Sequence, residues 1–523
     1  MSRKGQAGAA ARRARAAGLL LHPTSLPGRF PIGDLGPSAV AMLDWMVGAG
    51  FTVWQVLPLG PTGMGDSPYN ALSAFAGNPL LISPEALVAD GLVPADALTP
   101  WEAEPGGSVD YPAAASCKEN LLRQAFLCFE SGGFPELAAG LERFADQERR
   151  AVWLDDWALY ASLKRAYAGA SWLDWDQGLR DRQPQALAVR AAMLASEIRF
   201  EIFCQFLFFR QWSAVRRAAE SRGIRILGDV PIYVAPDSAD TWANRHLFDL
   251  APDGSLLAVA GVPPDYFSAD GQRWGNPLYR WEVLRAAGFR WWIDRLRAQL
   301  EFAHLLRLDH FRGFVAYWRV PQREPTARRG KWVKGPGEDL FRALRKGLGG
   351  LPLLAEDLGQ INARVHNLRR RLDLPGMRVL QFGFGAHDSD HSPHRHEPLA
   401  AVYTGTHDND TTRGWFASAG EDERRRALTY LGATPETITA AMIRAAYGSV
   451  AELAILPLQD VLNLGSESRM NTPGKRDGNW SWRVRHTDVP EDLPGRMREL
   501  AVATARLPEV PPEQRQSSNL PTG

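Results

Sequence analysis

The chain of 523 residues has little cysteine, almost no net charge and no long apolar run. Its three cysteines, Cys117, Cys128 and Cys204, are odd in number and lack the spacing of metal ligands. Such a set cannot form a disulfide framework and reads as buried thiols in a reducing compartment. Lys plus Arg (60) nearly equal Asp plus Glu (59), leaving a formal charge of +1. That balance gives no electrostatic reason to expect nucleic acid or an anionic membrane as partner, while a neutral partner such as a sugar is compatible with it. No apolar run is long enough to span a bilayer. Residues 1–17 are basic and rich in Ala and Arg, without the apolar core and cleavage site of a secretory signal. Arg12-Arg13 is followed by an apolar run that stops at His22-Pro23, too soon for a twin-arginine leader. These features predict a disordered tail over 1–17, a flexible Pro-rich tail over 508–523, and a cytoplasmic protein.

What the chain does have is a set of apolar runs that end in acids. His304-Leu305-Leu306-Arg307-Leu308-Asp309-His310 is one. A short apolar run with turn chemistry behind it is the mark of a buried strand. Arg307 and Asp309 are two apart and share a face of that strand. An unpaired charge there would cost several kcal/mol, and an arginine beside a carboxylate favours the charged acid. Leu353-Leu354-Ala355-Glu356-Asp357 and Val402-Tyr403-Thr404-Gly405-Thr406-His407-Asp408 repeat the pattern. Acids at several strand ends converge on one face of a parallel barrel, where active sites lie. Alone, the first stretch reads equally well as a structural ion pair closing a strand.

Further strands are expected over 18–22, 52–59, 224–232, 377–383 and 453–460, separated by helical stretches. Eight strands alternating with helices predict an α/β fold of the (β/α)8, or TIM-barrel, type over 18–507, with helical and loop insertions. Residues 83–199 break the strand–helix rhythm and read as a mainly helical insertion. In it Trp172 and Trp175 could stack on sugar rings, with packing the favoured role. The aromatic helix over 200–221 is expected to pack on the barrel. The exit of the second strand, GPTGMGDSPY over 60–69, is too rich in Gly and Pro for a helix and is a candidate substrate wall. Residues 233–279 form a long irregular segment carrying Tyr, Phe and Trp, the mark of a functional loop rather than disorder.

The wording RLDHFRG (307–313), AEDLG (355–359) and THDND (406–410) resembles the catalytic segments of the α-amylase superfamily, and specifically the amylomaltases of glycoside hydrolase family 77. The likeness runs from residue 21 to about 482. It includes PPDYFSADGQRWGNPLY (263–279), which resembles the family's active-site loop, and a closing block at RMNTPG (469–474) and GNW (478–480). The resemblance implies a 4-α-glucanotransferase acting on α-1,4-glucans such as maltooligosaccharides and amylose, with glucose as an acceptor, and with no metal or other cofactor. It maps Asp309 to nucleophile, Glu356 to general acid/base and Asp408 to transition-state stabiliser. It also implies substrate contacts from Tyr69, Asp229, Asp265, Tyr266, Phe267, Trp274, Arg307, His407 and Asn479. Asp357 competes with Glu356 as the acid, and the family's Glu-Asp pairing favours Glu356.

Three rival readings share these residues. An α-glucan hydrolase would use the same acids with water as acceptor. A non-catalytic glycan-binding module is disfavoured by the complete set of carboxylates. A metal enzyme is suggested by the His- and Asp-rich run 387–396, but that run lies in a Pro-bearing loop without a fixed ligand spacing.

Overall fold

The computed structural model describes residues 15–101, 107–150, 152–264, 269–385, 389–475 and 477–507. Among them are twelve strands: β1 (Ala16–Leu20), β2 (Val53–Gln55), β3 (Arg225–Val230), β4 (Ala258–Val262), β5 (Gln272–Pro277), β6 (Leu305–Leu308), β7 (Ala316–Pro321), β8 (Lys331–Lys334), β9 (Leu353–Ala355), β10 (Gly376–Val379), β11 (Ala400–Tyr403) and β12 (Leu453–Pro457).

Eight of these form one parallel sheet in the order β10-β11-β12-β1-β2-β3-β6-β9. The sequence pattern locates all eight. Their apolar runs do not alternate, because a parallel sheet covered by helices is buried on both faces; all residues of β1, β9, β10 and β11 are buried. The two end strands meet to close the barrel without a ladder: Ala355 N–H donates to Pro375 O at 2.9 Å, and Met377 N–H donates to the Asp357 carboxylate at 2.7 Å. Helices Pro37–Gly48, Ala195–Ser221, Arg290–Phe302, Glu338–Leu348 and Ala363–Arg371 each precede the next barrel strand. The link from β10 to β11 carries only 3-10 turns among its described residues.

The structure corrects the expected first boundary. β1 begins at Ala16, two residues before the predicted strand, so a tail ending at residue 17 runs too far. Arg15 is fixed as well, donating to the carbonyls of Ser449 (2.7 Å), Tyr447 (2.8 Å) and Thr504 (3.2 Å). Alanine-rich sequence at 16–17 hides the strand start, since its pairing with Leu453 and Ala454 of β12 is a long-range contact. Residues 1–14 and 508–523 lie outside the described residues.

The insertion over 83–199 is helical, including Tyr111–Glu130, Pro135–Arg150 and Leu154–Ala166, and packs on Ala195–Ser221. Phe203 and Trp212 of that helix are fully buried. Trp172 and Trp175 are buried too, which assigns them to packing rather than to sugar.

The expectation of an irregular segment over 233–279 is corrected. It contributes β4 and β5 to a second, antiparallel sheet of order β5-β4-β7-β8. Gly275 and Pro277 within β5 hide it, because Gly and Pro argue against a strand by propensity. β8 is an edge strand with an exposed lysine at each end, a charge pattern that discourages further pairing. This sheet grows from the loops that leave β3 and β6.

Gly376 lies at the barrel junction. A Cβ there would come within 2.7 and 2.8 Å of the two Asp357 carboxylate oxygens and 3.0 Å of Arg369 Nε. Gly376→Ala is expected to destabilise the protein by about 1–3 kcal/mol through overpacking, read as a lower Tm in a thermal melt. Gly350, whose added methyl group would meet nothing within 4 Å, is the control: Gly350→Ala should leave the Tm close to wild type. Equal Tm changes in the two variants would refute the crowding at the junction.

Candidate active site

Asp229 of β3 and Arg307 of β6 are register partners on neighbouring strands, so their side chains project together. The Arg307 guanidinium is buried and donates from Nη1 to both oxygens of Asp229, at 2.8 and 2.7 Å. Its Nη2 donates to Asp309 Oδ1 at 2.8 Å. One cation therefore holds two acids, Asp229 through Nη1 and Asp309 through Nη2. Tyr69, from the Gly- and Pro-rich loop after β2, donates its hydroxyl to Asp229 Oδ2 at 2.8 Å.

Glu356 follows β9 directly. Its backbone N–H donates to Leu308 O at 3.0 Å, which ties the acid to the strand carrying Asp309. Its Oε2 accepts the His310 N–H at 2.7 Å and its Oε1 the Leu358 N–H at 2.7 Å. Those two bonds and the Arg307 charge favour the carboxylate, yet the group is pushed up to about 8. Burial outweighs them, and the negative charge of nearby Asp309 adds to it. His310 adopts a left-handed backbone (φ 50°), which turns its N–H toward Glu356.

Asp408 lies five residues beyond β11 and is the most open of the three acids. Asn471 Nδ2 donates to its Oδ1 at 2.6 Å, His407 Nε2 lies 3.4 Å from the same oxygen, and Arg469 Nη2 donates to its main-chain oxygen at 2.7 Å. The His407 ring stacks on Tyr69 (centroids 5.1 Å, 14° between planes), and Trp480 packs against both rings. Trp274 of β5 meets His310 edge-on at 4.8 Å.

Tyr69, Asp229, Trp274, Arg307, Asp309, Glu356, His407 and Asp408 thus line the C-terminal end of the barrel, joined through bonds or ring contacts along a connected set. Asn479 differs: its Oδ1 accepts from Thr472 N–H and its Nδ2 donates to Lys475 O, so its amide braces its own loop. Asp265, Tyr266 and Phe267 lie outside the described residues. Asp357 is bonded on the side away from Glu356's partners, at the barrel junction. It sits among Arg369 (3.1 Å), Arg378 (3.7 Å) and the Met377 N–H, which leaves Glu356 as the acid of the pair that faces Asp309.

Four residues of the site are missing from the sequence reading: His22, Arg469, Asn471 and Trp480. Burial, with His407 close by, pushes His22 down to about 3, so it is neutral. Arg469, Asn471 and Trp480 lie inside the closing block, whose wording was the available signal; their bonds reach back more than sixty residues. In the run 389–396 the histidines serve structure: His391 Nδ1 accepts from Val379 N–H, His396 bonds Ser449, and His394 bonds Tyr430. His387 and Asp388 lie outside the described residues.

A parallel barrel with acids gathered around one buried arginine at the strand C-termini is an arrangement suited to glycoside chemistry. A sequence model of glycoside hydrolase family 77, described as 4-alpha-glucanotransferase, matches residues 21–488. The chain belongs to that family and is an enzyme of its 4-α-glucanotransferase type. It is 49% identical to the 4-alpha-glucanotransferase of Thermus thermophilus over 94% of this chain and 99% of that one. It is 45% identical to the chloroplastic/amyloplastic 4-alpha-glucanotransferase of Solanum tuberosum, over 93% of this chain and 85% of that one. The amylomaltase from Streptococcus agalactiae, solved in complex with acarbose, superposes with a TM-score of 0.91 at 36% identity, covering 94% of this chain and 99% of that one.

The raised Glu356 carboxyl has a stability consequence with a definite sign. The folded protein keeps a proton near pH 8 that the unfolded chain releases near its ordinary value of 4.5. Wild-type stability is therefore favoured below that lower value and falls as pH rises toward 8. Glu356→Gln cannot ionise. Its stability relative to wild type should climb between pH 5 and 8 by a few kcal/mol, on the order of 1.4 kcal/mol per pH unit, and then level off. The cost of presenting an amide to the His310 and Leu358 N–H groups is a constant offset. Melts of both proteins across that range check it, and a pH-independent difference would refute the raised acid.

Proposed function

We propose that the protein moves α-1,4-glucan segments from a donor to an acceptor glucan or glucose by double displacement with retention. The observation that carries this reading is the opposite treatment of two acids: Asp309 is bonded to a buried arginine, while Glu356 is buried beside Asp309 and pushed up to about 8. A nucleophile must be charged and an acid must hold its proton, and environments that separate two carboxyls assign those roles.

In the first step Asp309 attacks the anomeric carbon, and the bond to the leaving glucan oxygen breaks. Glu356 gives that oxygen its proton and becomes a carboxylate. In the second step Glu356 takes the proton from the acceptor hydroxyl, whose oxygen displaces Asp309 and restores the original anomeric configuration. Asp408, steadied by Asn471 and His407, faces the positive charge that builds on the sugar ring. No step calls for a metal or other cofactor.

Transfer and hydrolysis share the covalent intermediate, so the acceptor must be held in attack geometry to outrun water. Tyr69 and Trp274 supply rings on either side of the acids, with apolar faces for pyranose C–H groups. Attack by the far end of the donor's own chain would give cyclic glucans. Three free cysteines, two of them buried, are consistent with work in the reducing cytoplasm.

Maltotriose is the diagnostic substrate. Incubation should yield glucose and a ladder of longer glucans on chromatography; glucose and maltose alone would instead establish the hydrolase reading. Asp309→Asn should lose transfer by several orders of magnitude while the protein stays folded, checked by a cooperative thermal melt. Glu356→Gln should be impaired by about 10²–10⁴-fold on glucans, and far less in the first step with α-glucosyl fluoride, whose leaving group needs little proton. A glucosyl adduct should then accumulate in the mass spectrum. Equal losses on both substrates without an adduct would remove Glu356 as the acid/base.

A further inference from the structure

The chain contains eighteen tryptophans, and among the described residues only Trp274 and Trp332 rank as exposed. Both flank the short loop after Asp309. Trp274 meets His310 edge-on at 4.8 Å. Trp332 receives the Arg312 guanidinium over its ring, 3.9 Å from the centroid. The other sixteen tryptophans are more covered, and the two most exposed both touch the loop that follows Asp309.

Trp332 is also held rather than loose. On β8 it is the register partner of Trp318 on β7, and the two rings meet edge to face at 5.1 Å. Trp318 is anchored by its own indole N–H, which donates to Ala327 O at 2.9 Å. Arg312 donates from Nη1 to the Gln360 carbonyl. Arg312 lies three residues beyond Asp309, and Gln360 four beyond Glu356. The indole is therefore buttressed against both loops that carry the reacting acids.

With Arg312 over its ring and Trp318 packed against it, Trp332 still keeps 38% of its surface exposed, so part of the indole is open to a ligand. Leaving so large an apolar ring in water forgoes the burial that most tryptophans obtain. Pairing of β8 with a second sheet is opposed by the exposed Lys331 and Lys334. An extended neutral glucan needs no free strand edge; it needs a ring face for its C–H groups.

We infer that Trp332 is a distal subsite for extended α-1,4-glucan, gripping sugar units beyond those near Asp309 and Glu356 and favouring long chains over short ones. The inference rests on the glucan-transfer reading above. It is tested with Trp332→Ala and Trp332→Phe in the full chain, by measuring kcat/KM for maltotriose and for long-chain amylose. The expected result is a fall of roughly fivefold in the amylose-to-maltotriose ratio for the Ala variant, carried by KM, with most of the ratio kept by Phe. Retardation in a native gel containing amylose should weaken in the same order. A ratio equal to wild type in the Ala variant, or equal losses on both substrates, overturns the subsite. A wild-type enzyme that makes no longer glucans from maltotriose would instead fail the underlying reading.

Discussion

The structure depends on one buried guanidinium. Arg307 is held between Asp229 and Asp309, and its side chain is 3% exposed. A buried cation of this kind is tolerable only if its hydrogen bonds are met, and here three N–H···O contacts would be hard to assemble from flexible loops. They come instead from two adjacent barrel strands whose register places Asp229 opposite Arg307. The barrel is thus the condition for the charge, and the charge fixes the position of Asp309. Tyr69 reaches the same Asp229 oxygen pair, so the wall of the cleft is tied to the cation as well.

From this centre the rest of the site separates by environment. Glu356 is two backbone bonds from its neighbours and deeply buried, and the proximity of Asp309 adds repulsion to the cost of burial. Asp408 stays open to solvent on one side and takes its orientation from a loop near the end of the chain. Three carboxyls of the same chemistry so acquire three characters: paired, buried and oriented.

Much of this was legible in the sequence, for identifiable reasons. Barrel strands are short apolar runs, and each candidate acid comes within a few residues of the end of one, so periodicity and the motif wording together single out Asp309, Glu356 and Asp408. Position along a strand also tells Glu356 from Asp357 once the face is known. The antiparallel sheet was not legible: β5 contains Gly275 and Pro277, and β8 is four residues long with lysine at both ends. Nor were Asn471 and Arg469, because neither residue type nor spacing announces a hydrogen bond to a residue sixty positions earlier. The first strand began earlier than its apolar core because Ala16 and Ala17 are chosen by their partners on β12 rather than by propensity.

The barrel's last junction, described above as a closure without a ladder, has a consequence for how the protein can change. Asp357 accepts the Met377 N–H across that junction and is balanced by Arg369 and Arg378. Its neighbour in the chain, joined by a single peptide unit, is Glu356. Architecture and reactivity are therefore welded into one dipeptide. A substitution that loosened the junction would shift the peptide unit from which Glu356 hangs, and one that moved Glu356 would pull on the junction. A strain imposed on either acid is therefore felt by the other.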